Sequence, residues 1–266
     1  MVIRPFNIWI EFRVPESEPI FETGNEFAPN EARQKWVDTV CPLTEASGFE
    51  GACWSRFRDD PERVALCVRW ASREALEAFK ESPGYDRYWK GISAFSKPEE
   101  TELEGRCHPV HYLTGARYPS LLRVPFPHPV DPEKHEKILR LNGFINDNRM
   151  LPMPWRRQHQ PWQGAPSLVW ALSPQMRNGK LMDMAFWFHS WSSPEEEEKY
   201  KTTPGKNYSD GFGEVLPRER LDRKLREFGA SEWQEEHFQA FKRIPKRFNG
   251  EPTNGRFMRN GREIFA

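Results

Sequence analysis

Val64–Trp89, VALCVRWASREALEAFKESPGYDRYW, is met again without a gap 121 residues later as Ala185–Asp210, AFWFHSWSSPEEEEKYKTTPGKNYSD. Trp70 falls on Trp191 (191 − 70 = 121), Ser72 on Ser193, Phe79 on Tyr200, Lys80 on Lys201, Pro83 on Pro204 and Gly84 on Gly205. The period is far too long for a solenoid, so the chain reads as two copies of one small domain.

Each copy holds an apolar strand ending in tryptophan, a serine that can cap a helix, and a helix that stops at Pro-Gly. Upstream, Phe6–Val14 alternates like a strand, Pro29–Val40 spaces Ala32, Trp36 and Val40 as a short amphipathic helix, and Gly51–Phe57 is a further strand. In the second half Ser120–Phe126 and Ser167–Ser173 read as strands. Asp131–Met150 reads as a helix capped by Asp131, and Asn178-Gly179 as the turn into Leu181–Trp191. Each half is therefore βαββα, which one further strand completes as a ferredoxin-like unit.

The expected fold class is α+β: two tandem ferredoxin-like domains forming an α/β barrel, at 1–106 and 107–216, then a C-terminal helical extension and tail at 217–266. Ser96–Gly105, polar and acidic, reads as the interdomain linker. Met150–Pro166, Pro-rich with Trp155 and Trp162, reads as an ordered surface loop or a lid over the barrel mouth. Beyond Pro217 a helix carries Leu221, Leu225 and Phe228, a second is expected over Trp233–Phe241, and Ile244–Ala266 reads as a wrapping extension or dimer arm.

A formal net charge of +0 gives no basic field for nucleic acid, and no apolar run approaches the roughly 20 residues of a membrane span. Cys41, Cys53, Cys67 and Cys107 lack CxxC spacing and read as reduced thiols of a cytoplasmic protein. Eleven tryptophans within 14% aromatic residues can build either a core or an aromatic-lined cavity. No GxGxxG, Walker A, HExxH or GxSxG pattern occurs, and Pro109 between His108 and His111 speaks against a metal pair. No cofactor and no metal are expected.

The block VRWASREALEAFKESPGY resembles the dimeric α/β-barrel superfamily, in particular its antibiotic-biosynthesis-monooxygenase-like members. The resemblance implies a barrel built from two ferredoxin-like sheets, here closed within one chain. It also implies that the tryptophan ending the repeated strand points into the cavity, and that a polar residue on the first strand, here Asn7, helps to position substrate. The superfamily includes cofactor-independent oxygenases, cyclases, haem-degrading enzymes and proteins without known chemistry, so fold alone leaves the reaction open.

Alternation along the second repeated strand puts Asp183, Ala185, Trp187, His189 and Trp191 on one face and Met182, Met184, Phe186 and Phe188 on the other. The second set is expected on the helices, leaving His189 between Trp187 and Trp191 on the cavity side, where the first copy offers Val68 and Trp70. A histidine so enclosed can move a proton near neutral pH against a flat substrate. The expected site is thus His189 with Asn7 and Arg56 as catalytic or orienting groups, and Trp9, Trp70, Trp187, Trp191 and Asp183 as substrate-binding residues.

The expected function is a cofactor-independent enzyme, of cyclase, lyase or monooxygenase type, acting on an aromatic or polyketide-like small molecule by His-mediated proton transfer. A homodimer is compatible with this, and neither nucleic acid nor membrane is an expected partner. Two alternatives stand beside it: a non-catalytic binding or assembly protein with a self-filled barrel, and a haem-binding enzyme with His189 or another histidine as ligand.

Overall fold

A computed structural model describes residues 6–18, 31–105, 109–145, 161–206, 214–244, 257–259 and 262–264. The first half runs β1 (Phe6–Arg13), α1 (Glu31–Glu45), β2 (Phe49–Arg56), β3 (Arg63–Trp70), α2 (Arg73–Lys80), α3 (Pro83–Ser93) and β4 (Glu99–Gly105). After α4 (Pro109–Thr114) the second half runs β5 (Tyr118–Pro127), α5 (Pro132–Leu139), β6 (Ser167–Ala171), β7 (Gln175–Arg177), β8 (Lys180–Trp191) and α6 (Pro194–Thr202). It continues through β9 (Gly205–Lys206), β10 (Glu214–Val215), α7 (Pro217–Glu227) and β11 (Gln234–His237), and the chain ends in β12 (Lys242–Ile244), β13 (Phe257–Arg259) and β14 (Arg262–Ile264).

One antiparallel sheet runs in the order β11-β5-β8-β6-β4-β1-β3-β2-β12. Its two halves, β4-β1-β3-β2 and β11-β5-β8-β6, have the same connectivity, each the β-α-β-β-α-β plan of a ferredoxin-like unit. β3 and β8 hold the same place, with Ile8 opposite Val68 in one half and Ser120 opposite His189 in the other. The halves join where β4 pairs with β6, Leu103 facing Ala171. The far ends meet as well: Phe57 bridges Phe238, Arg58 N donates to His237 O at 2.8 Å, and Gln239 N donates to Arg56 O at 3.0 Å. The sheet thereby closes into a barrel.

Three apolar layers follow from this topology. One side of the first half packs on α1, α2 and α3 through Ile8, Trp36, Trp54, Val68, Trp70 and Phe79. The same side of the second half packs on α5, α6 and α7 through Val124, Ile138, Trp187, Trp191, Tyr200 and Leu225. The barrel interior draws on both halves, with Trp9, Cys67, Leu121, Phe186, Phe188 and Phe238 among its members. Trp9 meets Phe188 at 5.3 Å and Phe238 at 5.9 Å. Strands buried on both faces carry apolar residues on both, which is why β3 and β8 are hydrophobic almost throughout.

Several expectations are corrected. Ser96–Gly105 is no linker, since β4 occupies it as the fourth strand of the first unit. Trp233–Phe241 is not helical: β11 is the fourth strand of the second unit, beyond the boundary expected at 216. α2 ends at Lys80, just before Ser82-Pro83-Gly84 as expected, but a further helix not expected there follows: Ser82 accepts Tyr85 N–H at 3.3 Å and caps α3, with Pro83 at its start. α5 stops at Leu139, well short of Met150. Asn178 and Gly179, at φ of 49° and 74°, make the expected turn from β7 into β8. Cys107, His108, His159 and most of the Pro-rich loop and C-terminal tail lie outside the described residues.

Candidate functional site

In the first half a small crevice lies between the sheet and its helices. Ile8 and Ile10 of β1 and Val68 and Trp70 of β3 form its floor, and Leu76, Phe79, Tyr85 and Tyr88 of α2 and α3 form its roof. Local sequence sets this geometry. Ser72 caps α2 through Ala75 N at 3.3 Å and turns Leu76 and Phe79 toward the sheet. Trp70 and Phe79 lie 5.3 Å apart, and Phe79 meets the Tyr85 ring edge-on at 5.7 Å. The enclosed space is about 10 Å³, room for roughly one water.

Two polar groups reach this aromatic box. The buried Tyr88 hydroxyl has no hydrogen-bond partner. Burial first, and then the negative charge of Glu100, hold its pKa well above the usual phenol value, so it remains a proton-bearing donor. Glu100 lines the crevice from β4, and its carboxylate lies 3.1 Å from Lys80 Nζ. Lys80 also stands 3.6 Å from Glu102.

The equivalent space in the second half is filled by the protein itself. By the repeat and the strand register, His189 stands for Val68, Trp191 for Trp70, Tyr200 for Phe79 and Glu235 for Glu100. Phe144 sits among them, its ring 5.3 Å from the imidazole and 6.5 Å from the Trp191 ring. His189 Nε2 accepts Phe144 N–H at 3.3 Å. Burial, and then the positive charge of Lys201, push the His189 pKa down to about 3, so the ring is neutral at physiological pH.

Lys201 is itself buried, 2.6 Å from Glu197 and paired with Glu235, while His237 Nε2 lies 3.1 Å from Glu197. Burial lowers the basicity of His237, but the Glu197 carboxylate outweighs it and raises its pKa. Glu197, Glu235 and His237 are close enough to ligate a cation. The Lys201 ammonium already bonds both carboxylates, which makes this an ion-pair cluster. Haem does not fit His189 either: its Nε2 is engaged by Phe144, and a side-chain carbon at Gly143 (φ +54°) would collide with that nitrogen.

Strand alternation groups the β8 residues as the structure does, but on the opposite sides of the sheet. The expected facing is inverted: Met184, Phe186 and Phe188 line the barrel interior, whereas Trp187, His189 and Trp191 pack on the helix side. Trp187 Nε1 donates to Leu141 O at 3.1 Å and Trp191 Nε1 to Ser120 Oγ at 3.0 Å. Trp70 also lies on the helix side, where it lines the crevice. Trp9 and Asn7 share the barrel-facing side of β1, and the buried Asn7 amide has no hydrogen-bond partner.

Arg56 points away from both spaces and donates to the carbonyls of Val14 (2.9 Å), Pro61 (2.6 Å) and Glu18 (2.9 Å). Asp183 binds His128 Nδ1 and Val130 N, each at 2.9 Å, and pins the connection after β5. Tyr85, Tyr88, Lys80 and Glu100 were missed by the sequence reading. The three-residue spacing of the two tyrosines was available as a signal, but it lay in a segment taken for a helix stop.

Two ferredoxin-like sheets closed into one barrel make this an α+β fold of the α/β-barrel type. Residues 27–90, which take in α2 and most of α3, match the antibiotic biosynthesis monooxygenase family. Among solved structures, an anthrone oxidase-like protein is similar at 12% identity and a TM-score of 0.53, covering 93% of this chain and 96% of that one. A protein of Fusobacterium nucleatum provisionally designated a monooxygenase aligns at 8% identity and a TM-score of 0.51, covering 92% and 96%. SnoaB, a cofactor-independent oxygenase from Streptomyces nogalater, aligns at 19% identity and a TM-score of 0.31, over 39% of this chain and 95% of that one. No curated protein matches the sequence.

Proposed function

We propose that the protein is a small-molecule monooxygenase that oxidises a planar aromatic or polyketide-like substrate with O₂, without a cofactor, in the crevice of the first half. The family domain supports an oxygenase-type activity on a small molecule. The observation that carries the finer reading is the buried, unpartnered Tyr88 hydroxyl in a box of Trp70, Phe79 and Tyr85. A buried donor without an acceptor is costly unless a ligand supplies one.

A substrate ring enters by displacing the half-buried Tyr85 and stacks on Trp70. Its carbonyl accepts the Tyr88 O–H, which stabilises the enolate formed when a CH₂ conjugated with that carbonyl loses a proton. Glu100, paired with Lys80, is the nearest described carboxylate to take that proton. The enolate then reduces O₂. One oxygen atom becomes the new carbonyl and the other leaves as water, so that CH₂ + O₂ gives C=O + H₂O.

The described barrel interior is packed with the protein's own side chains, and that favours a second reading, a non-catalytic assembly protein. Oxygen uptake with an anthrone as probe separates the two. The oxygenase reading expects turnover that Tyr88→Phe lowers by about 10²–10³-fold in kcat, the usual loss for a removed oxyanion donor. Full activity in Tyr88→Phe would overturn the assignment of that hydroxyl, and no uptake by the wild type would leave the assembly reading.

A further inference from the structure

We propose that the second half holds a second binding site, for an electron-rich planar aromatic ring, and that Phe144 of the chain itself occupies it. The inference rests on the equivalence of the two halves and does not depend on the oxygenase reading. Three of the positions that frame the crevice of the first half, Val68, Trp70 and Phe79, recur as His189, Trp191 and Tyr200. In the second half the Phe144 ring lies against His189 and Trp191, with Tyr200 packed on Trp191.

The Phe144 ring is held as a ligand would be. His189 and Trp191 are stacked on each other at 5.8 Å and 10°, and the Phe144 ring packs against both at a tilt of 48° and 50°. On another side the buried Lys201 ammonium stands 4.2 Å from the ring centroid. A cation at that distance from a ring face is attracted by the ring's electron density, so the site selects electron-rich rings. The occupant is latched through its backbone: Arg220 reaches the carbonyls of Gly143 (3.2 Å), Phe144 (3.5 Å) and Ile145 (3.2 Å). In the first half the corresponding crevice keeps a water-sized space of about 10 Å³ between the sheet and Phe79, Tyr85 and Tyr88.

The test is calorimetric titration of the full chain with benzene and with hexafluorobenzene, whose ring quadrupole is reversed at similar shape. Phe144→Ala is expected to bind one benzene that the wild type does not bind, and to bind it about tenfold more tightly than hexafluorobenzene, in line with a desolvated cation–π contact. A folded Phe144→Ala that gains no benzene, or that binds both rings equally, overturns the proposal. Should that variant fail to fold, Arg220→Lys keeps Phe144 and loosens only its latch. Benzene uptake absent from the wild type then supports the site, and its absence overturns it. Loss of oxygenase activity without change in these titrations would count against the first-half reading alone.

Discussion

His189 is a base whose surroundings remove its basicity. With no solvent around it and the Lys201 ammonium nearby, its pKa falls to about 3. The unfolded chain restores it to about 6.5. Between these values the unfolded state binds the extra proton, so this residue makes stability rise with pH from about 3 to 6.5, and stability is lost as pH falls through that window. The effect is on the order of a few kcal/mol. His237 has the opposite sign: its raised pKa gives stability that is complete below about 6.5 and fades as pH rises through the folded value. His189→Gln keeps an acceptor for Phe144 N–H, cannot titrate, and leaves His237 in place. Urea melts across pH 4–7 should show a flatter stability profile for the variant than for the wild type, and parallel profiles would mean that His189 is not neutral in the folded protein.

The strand–cap–helix element is where the sequence speaks most clearly. Ser72 and Ser193 cap α2 and α6 with nearly the same backbone, φ of −160° and −161°, and each accepts the N–H three residues on. Ser72→Ala and Ser193→Ala should each cost about 1 kcal/mol. As the two caps share no partner, the double variant should lose the sum within about 0.5 kcal/mol in thermal or urea melts; a larger discrepancy would show that the two elements are coupled. These elements, their order and their pairing were legible from the offset alone.

The fourth strands were not legible in either half. β4 (EETELEG) and β11 (QEEH) present carboxylates toward the helices, where Lys80 neutralises Glu100 and Lys201 neutralises Glu235. In β4 such a charged strand looks locally like a linker, whereas the β11 segment reads as a helix because Trp233, His237, Phe238 and Phe241 fall at helical spacings. The facing of β8 was illegible because the helix layer and the barrel interior bury both its faces. Alternation then has no polar side to orient it, and a histidine on one face marks neither solvent nor substrate.

At the scale of the molecule, the barrel interior is shared by the two halves. Glu11 and Arg63 come from the first half, Arg123 and Glu236 from the second, and they form a closed chain of ion pairs. Arg63 lies 2.7 Å from Glu11 and 2.8 Å from Glu236, and Arg123 pairs with Glu11 and stands 2.6 Å from Glu236. Burial works against the charge on Glu11. The Arg123 charge and the hydrogen bonds from Trp9 and Arg63 outweigh it and hold the carboxyl pKa below its usual value.

Removing one member strands a partly buried partner, so Glu11→Gln or Arg123→Met alone should cost about 3 kcal/mol. The double variant strands less than the singles summed, and the cycle should return a coupling of about 1–3 kcal/mol. If the network ties the halves together as the shared interior implies, far-ultraviolet circular dichroism and tryptophan fluorescence should report one coincident unfolding transition in the wild type. Two separated transitions, or a cycle that closes to zero, would make each half an independent domain and reduce the barrel to two sheets in contact.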